Sequence, residues 1–379
     1  MLTSIENQNG DRTIRIGGGA RAFVIAEIGK NFIQTKDERS TEEYLANAIA
    51  LVRAAKDAGA DAVKFQTHAV EDEQVDITVV SPHFVGADRY RWIRRNEAAT
   101  PLETFWQPLK RACDELGILF FSTPMSRGAA ERLSPVDPQL WKIGSGDLLD
   151  FVLLDYVRQS GKPILVSSGM STLEEVDRAM AFLNEKTDQV VLLHCVSQYP
   201  CPTEDLNLNT IGFYRERYGS LVGFSDHSIG TESAIAAVAL GAVVIEKHFS
   251  FDRALWGSDH KVSLTPQELA ELVQGVARVH TDSAYRAAVL QGEVVKCGMG
   301  DHAKRMDDGE AIFRPLFRKT LVAAGDLSEG TILGPENVYA MRPQAHLDGF
   351  PSDAYPEVLG KVLQADIRKY TPLRPDHLV

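Results

Sequence analysis

GFSDHSIG (Gly223–Gly230), followed at a helix's length by VVIEKHF (Val243–Phe249), is the stretch on which the fold turns. Two apolar runs, Leu221–Phe224 and Val243–Ile245, each break at their C-terminal end into polar residues. These are Ser225-Asp226-His227 and Glu246-Lys247-His248. The Ala-rich segment between the runs has helix length and is closed by Gly241. Neither run alternates with polar residues, so both faces of each strand are buried, and the unit reads as strand–helix–strand in a parallel sheet. Two imidazoles at the same end of neighbouring parallel strands can share one metal ion. A His227–His248 pair leaves most of the coordination shell open for water or substrate oxygens. The plainer alternative is that each histidine ends a strand and bonds to backbone.

Working outward, the same pattern recurs. Apolar runs lie at Phe23–Ile28, Ala62–Phe65, Ile118–Phe121, Leu140–Ile143, Ile164–Val166 and Val190–Leu193, making eight with the two above. Helical stretches such as YLANAIALVRAAKDAG and FWQPLKRACDELG separate them, and Gly59, Gly117, Gly161, Gly219 and Gly241 stand where a left-handed C-cap is needed. Ser171 reads as an N-cap for TLEEV. Eight strand–helix units between Phe23 and His280 predict an α/β fold, a (β/α)8 TIM barrel, for which about 250 residues is typical.

Polar residues stand at or just past every strand end. They are Glu27; Lys64 and Gln66; Ser122 and Thr123; Lys142, Ser145 and Asp147; Ser167 and Ser168; His194 and Ser197; Ser225 and His227; Lys247 and His248. At one end of a barrel they form a ring at the mouth, where such barrels keep their active sites. Lys247 also has a structural reading.

The net charge of −12 and pI near 5.4 argue against a nucleic-acid or membrane-surface binder. The basic aromatic run RYRWIRR (Arg89–Arg95) therefore reads as a solvated helix face or a lid over an anionic substrate. Four cysteines without zinc or CxxC spacing suit a reducing cytoplasm, and no signal or membrane-spanning run is seen. The sequence divides into a barrel domain (residues 1–282), a polar linker (283–312) and a compact domain of short β-type runs (313–379). The last is small enough that its own core is marginal, so it is expected to dock on something larger.

The motifs AEIGKN, DAVKFQTHAVEDE, FFSTPMSRGAA, WKIGSGD, ILVSSGMS, LLHCVSQYPCP, GFSDHSIG, EKHF and SDHKVSL stand in register along the barrel. With them the chain resembles the sialic acid synthase family of bacterial nonulosonate synthases, from about Ala22 to the C-terminus. FRKTLVAAGDLSEGTILGPENV resembles that family's antifreeze-like (SAF) small domain. The resemblance implies condensation of phosphoenolpyruvate with the open-chain aldehyde of an N-acylated hexosamine, such as N-acetylmannosamine or a 2,4-diacetamido-trideoxyhexose, with phosphate released by C–O cleavage. It implies a divalent ion, commonly manganese, on His227 and His248, with magnesium or cobalt as substitutes. It also implies a domain-swapped homodimer in which Arg318 reaches the partner's site and contacts the sugar's N-acyl group.

Phosphoenolpyruvate needs local cations in an acidic protein. Lys64 and Lys142 supply them, and Gln66, Thr123, Ser145, Ser167, Ser197 and Ser225 supply neutral hydrogen bonds. Glu27, flanked by Ala26 and Ile28, is the candidate for proton transfer or for holding the sugar hydroxyls. By resemblance, Asp259 matches a sugar-contacting aspartate and Tyr199 a substrate-side tyrosine. Departures from the family pattern cluster on the sugar side. Asp147 replaces a glutamate, Ser197 stands where relatives often carry asparagine, and Ser258 interrupts the GPD triplet. The segment after HAVEDE has no clear sugar-contacting asparagine, with Asn96 and His83 left unassigned. A lysine Schiff-base aldolase using Lys142 or Lys247, and a non-catalytic carbohydrate-binding protein, are the competing readings.

Overall fold

The computed structural model describes residues 4–9, 12–78 and 88–379. An antiparallel hairpin, β1 (Ser4–Asn9) and β2 (Arg12–Gly17), precedes the barrel. The barrel strands follow as β3 (Phe23–Gly29), β4 (Ala62–Thr67), β5 (Leu119–Pro124), β6 (Trp141–Ile143), β7 (Ile164–Ser167), β8 (Val190–Cys195), β9 (Leu221–Asp226) and β10 (Val244–His248). All are parallel, in the order β5-β4-β3-β10-β9-β8-β7-β6, with β5 and β6 side by side at the remaining seam. This is the expected eight-stranded (β/α)8 architecture, near-closed. Gly117 and Gly219 take the left-handed conformation that ends their helices, with φ of 63° and 59°.

The strands bury two separate apolar layers. Phe23, Ile25, Phe121, Leu165, Leu193 and Val244 pack inside the barrel. Their sequence neighbours Val24, Phe120, Val166, Leu192 and Ile245 pack outward against the helices. Each fully buried side chain of this size contributes about 1.5–3 kcal/mol. Because side chains alternate along a strand, the inward set continues toward the C-terminal ends as Glu27, Lys64, Gln66, Thr123, Lys142, Ser167, Ser225, Glu246 and His248. On β9 the inward position between Leu221 and Ser225 is Gly223. A Cβ there would lie 2.4 Å from Leu193 and 2.7 Å from the Val244 carbonyl.

The segment expected to be a linker is largely helical, with helices at Ser283–Leu290, Glu293–Gly298 and Asp308–Ala311, and a further short helix, Arg314–Phe317, opens the C-terminal domain. Beyond it, β11 (Thr320–Ala323) pairs antiparallel with β12 (Val338–Met341), and short bridges tie residues 327–332 and 362–378 into the same unit. This unit docks on the barrel mouth. Lys319 reaches Asp147 at 3.0 Å and Asp150 at 2.6 Å, Arg342 pairs with Asp147, and Arg342 bridges to the Gln74 backbone. The helix after β7 is capped by Thr172, which forms a reciprocal capping box with Glu175; Ser171, one residue earlier, had been expected there. All four cysteines are free, and no helix among the described residues is long and apolar enough to cross a membrane.

Candidate active site

At the C-terminal mouth the inward side chains form a continuous ionic chain. Lys64 Nζ lies 2.6 Å from Glu27 Oε2 and donates to Thr123 Oγ1 at 2.9 Å. Gln66 Nε2 donates to Glu27 Oε1 at 2.9 Å. Lys142 Nζ donates to Ser167 Oγ at 2.8 Å. Both ammonium groups face one oxygen, Glu246 Oε1, at 3.8 and 3.7 Å, and Ser225 Oγ donates to it at 3.2 Å. Apart from half-buried Gln66, these groups are removed from bulk water, which sets their protonation. Burial pushes Glu27 up to about 7, overriding Lys64. Burial would raise Glu246 too, but the two lysines outweigh it and hold it below the usual carboxylate range. Burial also lowers Lys142, whereas for Lys64 it is outweighed by Glu246 and Glu27.

The two histidines come together as expected, with ring centroids 5.6 Å apart. His227 Nδ1 is 2.8 Å from the Val196 carbonyl, so it donates there and Nε2 keeps the lone pair in the neutral ring. His248 Nδ1 is buried without a hydrogen bond, and burial lowers the ring to about 4, keeping it neutral as a metal ligand must be. Among the described residues no cluster of three or more His, Cys, Asp or Glu is placed to hold a metal. The pair therefore fits an ion that takes its remaining ligands from water or substrate. The Tyr199 ring lies tilted against His227 with centroids 4.0 Å apart, and Asp259, pulled down to about 2 by His248 and Lys30 against burial, lies in the same cavity.

Every expected site residue except Arg318 lines this one cavity. Within this chain Arg318 is buried directly behind the cavity wall. Its guanidinium donates to the Met170 carbonyl at 2.6 Å and Ser171 Oγ at 2.9 Å, and sits 3.3 Å from Glu175. The C-terminal domain contributes Arg342, Phe313 and Phe317 to the cavity. Asp147 does line the cavity, but its charge is taken by Arg342 and Lys319. Ser145 Oγ accepts the Gly169 N–H at 3.1 Å, so part of its capacity goes to the loop.

Lys247 points outward into a fully buried pair with Asp226 at 3.0 Å and donates to the Ser228 carbonyl at 2.6 Å, which leaves it structural. Asn96 is buried in its own helix, donating to the Trp92 carbonyl, and His83 lies outside the described residues. The RYRWIRR helix is solvated on its Arg91 and Arg94 side only. Arg89 is buried in the cavity wall with its guanidinium 4.5 Å from the Phe317 ring, and Arg95 binds backbone carbonyls of residues 35–37.

The sequence reading missed Glu246, although it stands in the same EKHF as His248 and the two-residue period would have found it. It also missed a carboxylate–imidazole pair in the wall, His68 Nδ1 with Glu73 at 2.8 Å. Arg342 had no local signal, because it reaches the cavity through the docking of a separate unit.

Residues 51–286 match the NeuB family and residues 318–379 match the SAF domain. Pseudaminic acid synthase of Campylobacter jejuni is 32% identical over 351 residues, covering 92% of this chain and 94% of that protein. N,N'-diacetyllegionaminic acid synthase of Legionella pneumophila is 30% identical over 370 residues, covering 96% of each. Among solved structures, the spore coat polysaccharide biosynthesis protein SpsE of Bacillus subtilis superposes with a TM-score of 0.76 at 30% identity, covering 99% of both chains.

Proposed function

The chain belongs to the NeuB family, and on that premise we propose that it is a nonulosonic acid synthase joining phosphoenolpyruvate to the open-chain aldehyde of an N-acylated hexosamine. The observation that carries this reading is the convergence of Lys64 and Lys142 on one carboxylate oxygen, in the same cavity as the two imidazoles. Two ammonium groups so placed bind the phosphate and carboxylate of phosphoenolpyruvate, and Thr123, Ser167 and Ser225 add neutral hydrogen bonds. The enol's methylene carbon forms the new bond to the aldehyde carbon, and the aldehyde oxygen takes up a proton. Glu27, poised near 7, is the group suited to give it. Water adds to the electron-deficient carbon that remains and loses a proton. The C–O bond to phosphate then breaks, leaving an α-keto acid and inorganic phosphate. A divalent ion on His227 and His248, manganese for preference, supplies Lewis-acid polarisation of the aldehyde when bound. Asp259 and Tyr199 flank the sugar side.

We further propose a homodimer that exchanges C-terminal domains across the polar 299–307 segment. A closed exchange preserves every barrel–domain contact at little cost. Light scattering that gave a monomer with full activity would remove that proposal. The four free cysteines suit a reducing cytoplasm.

The test is phosphate release from phosphoenolpyruvate with manganese and a panel of N-acylated aldoses, including N-acetylmannosamine and 2,4-diacetamido-trideoxyhexoses. Release should require both substrates, stop with EDTA and return with manganese. Release without any aldose, or borohydride trapping of pyruvate on Lys142, would overturn the reading.

A further inference from the structure

The segment joining the barrel to the C-terminal domain buries one carboxylate that the chemistry above does not use. Glu310 has no solvent exposure, and its Oε1 accepts the backbone N–H of Met170 at 2.9 Å and that of Ser197 at 2.7 Å. The N–H of Ser197 and the C=O of Val196 are opposite sides of one planar peptide unit. That carbonyl is the group 2.8 Å from His227 Nδ1. A carbonyl can only accept, so Nδ1 carries the proton and, in the neutral ring, Nε2 carries the lone pair.

We propose that Glu310 is a positioning residue for the divalent-ion site: acting through the 196–197 peptide, it fixes the tautomer and the orientation of the His227 imidazole and so sets the site's affinity. The inference rests on the reading of His227 and His248 as the ion's ligands. An anion on the N–H side of a peptide strengthens its carbonyl as an acceptor, and the chain carboxylate–peptide–imidazole is polarised in one direction throughout. Outer partners of this kind hold a ligating histidine's ring and its basicity.

The same oxygen also restrains Met170, a cavity-lining residue held at φ 54°, where a side chain is strained. The Met170 carbonyl in turn receives Arg314 and Arg318, each at 2.6 Å. Lys304, 3.6 Å from Glu310 Oε2 and equally buried, balances the charge. One short segment thus ties the approach to the C-terminal domain to a metal ligand on the far side of the loop.

The experiment measures Mn2+ binding to the metal-stripped full-length protein from the EPR signal of free Mn2+. It compares wild type with Glu310→Gln, Glu310→Ala and His227→Ala, with thermal melts and histidine 15N spectra for each. Glu310→Gln should bind Mn2+ about 10-fold more weakly, in the range outer-shell partners show, and its His227 signals should move toward a mixture of tautomers. A loss of thermal stability with unchanged Mn2+ affinity and unchanged His227 signals would overturn the proposal. If neither Glu310 variant folds, the wild-type spectrum decides: His227 protonated on Nδ1 supports the proposal, and protonation on Nε2 overturns it. Wild-type affinity in His227→Ala would instead remove the underlying ligand assignment, and the proposal with it.

Discussion

Glu27 shows how far burial can move a single residue. Its neighbours on β3 are apolar, and removal from water lifts it to about 7 in spite of the Lys64 ammonium beside it. With the folded value above the unfolded one, its contribution to stability is complete only below the ordinary carboxylate range and is lost as pH rises through about 7. Asp259, held near 2, has the opposite sign: its contribution is present above the ordinary value and is lost as pH falls toward 2. Glu27→Gln should therefore raise the melting temperature relative to wild type more at pH 8 than at pH 5, while kcat falls by about 10²–10⁴-fold. Melts at the two pH values and steady-state assays check both halves. Wild-type kcat/KM should decline above about pH 7, and that limb should vanish in the variant. The carboxylate at this strand end was legible in the sequence. Its protonation was not, because Glu246 and Lys64 come from strands far away in the chain.

At the scale of the element, the two-residue period of a strand separates chemistry from support. Lys142 on β6 and Lys247 on β10 look alike in sequence, each within an apolar run that ends in polar residues. Lys142 faces the cavity and Lys247 faces the helices, where Asp226 meets it. Lys247→Met should lower stability by about 3–5 kcal/mol, since it strands a buried carboxylate, and leave the KM for phosphoenolpyruvate near wild type. Lys142→Ala should lower kcat/KM for phosphoenolpyruvate by about 10²-fold or more. Thermal denaturation beside kinetics distinguishes the two. The eight strands were legible because their apolar runs and closing glycines recur. Their facing was not legible, because strands buried on both sides carry apolar residues at every position, as Phe120 and Phe121 do. The β1–β2 hairpin was missed although RTIRIG alternates.

At the scale of the whole molecule, the C-terminal domain completes the cavity wall. Arg342 and Lys319 neutralise Asp147 and Asp150 at the interface, and Arg342 and Arg89 flank the Phe317 ring at 5.6 and 4.5 Å. Arg342→Ala leaves Asp147 with Lys319 as its remaining partner and should weaken docking by about 3–5 kcal/mol. The expected signs are faster proteolytic cleavage in residues 299–307 and a raised KM for the sugar, with the KM for phosphoenolpyruvate much less affected. Equal increases in both would place Arg342 outside the sugar side. Within this chain Arg318, named from the sequence for a role in the partner's site, is held by Met170, Ser171 and Glu175 behind the cavity wall.

The chain's own residues determined the barrel, the ring of polar groups at its mouth and the pairing of His227 with His248, because strand period, strand ends and short motifs are local properties. Tertiary structure decided the rest: which of two neighbouring residues faces inward, which lysine is spent on a buried aspartate, which arginine of a docked domain enters the cavity, and how Glu310 grips the peptide behind His227. Those outcomes depend on groups distant in sequence meeting where water is excluded. There the Coulomb and desolvation terms are set by the neighbours and not by the residue's own position in the chain.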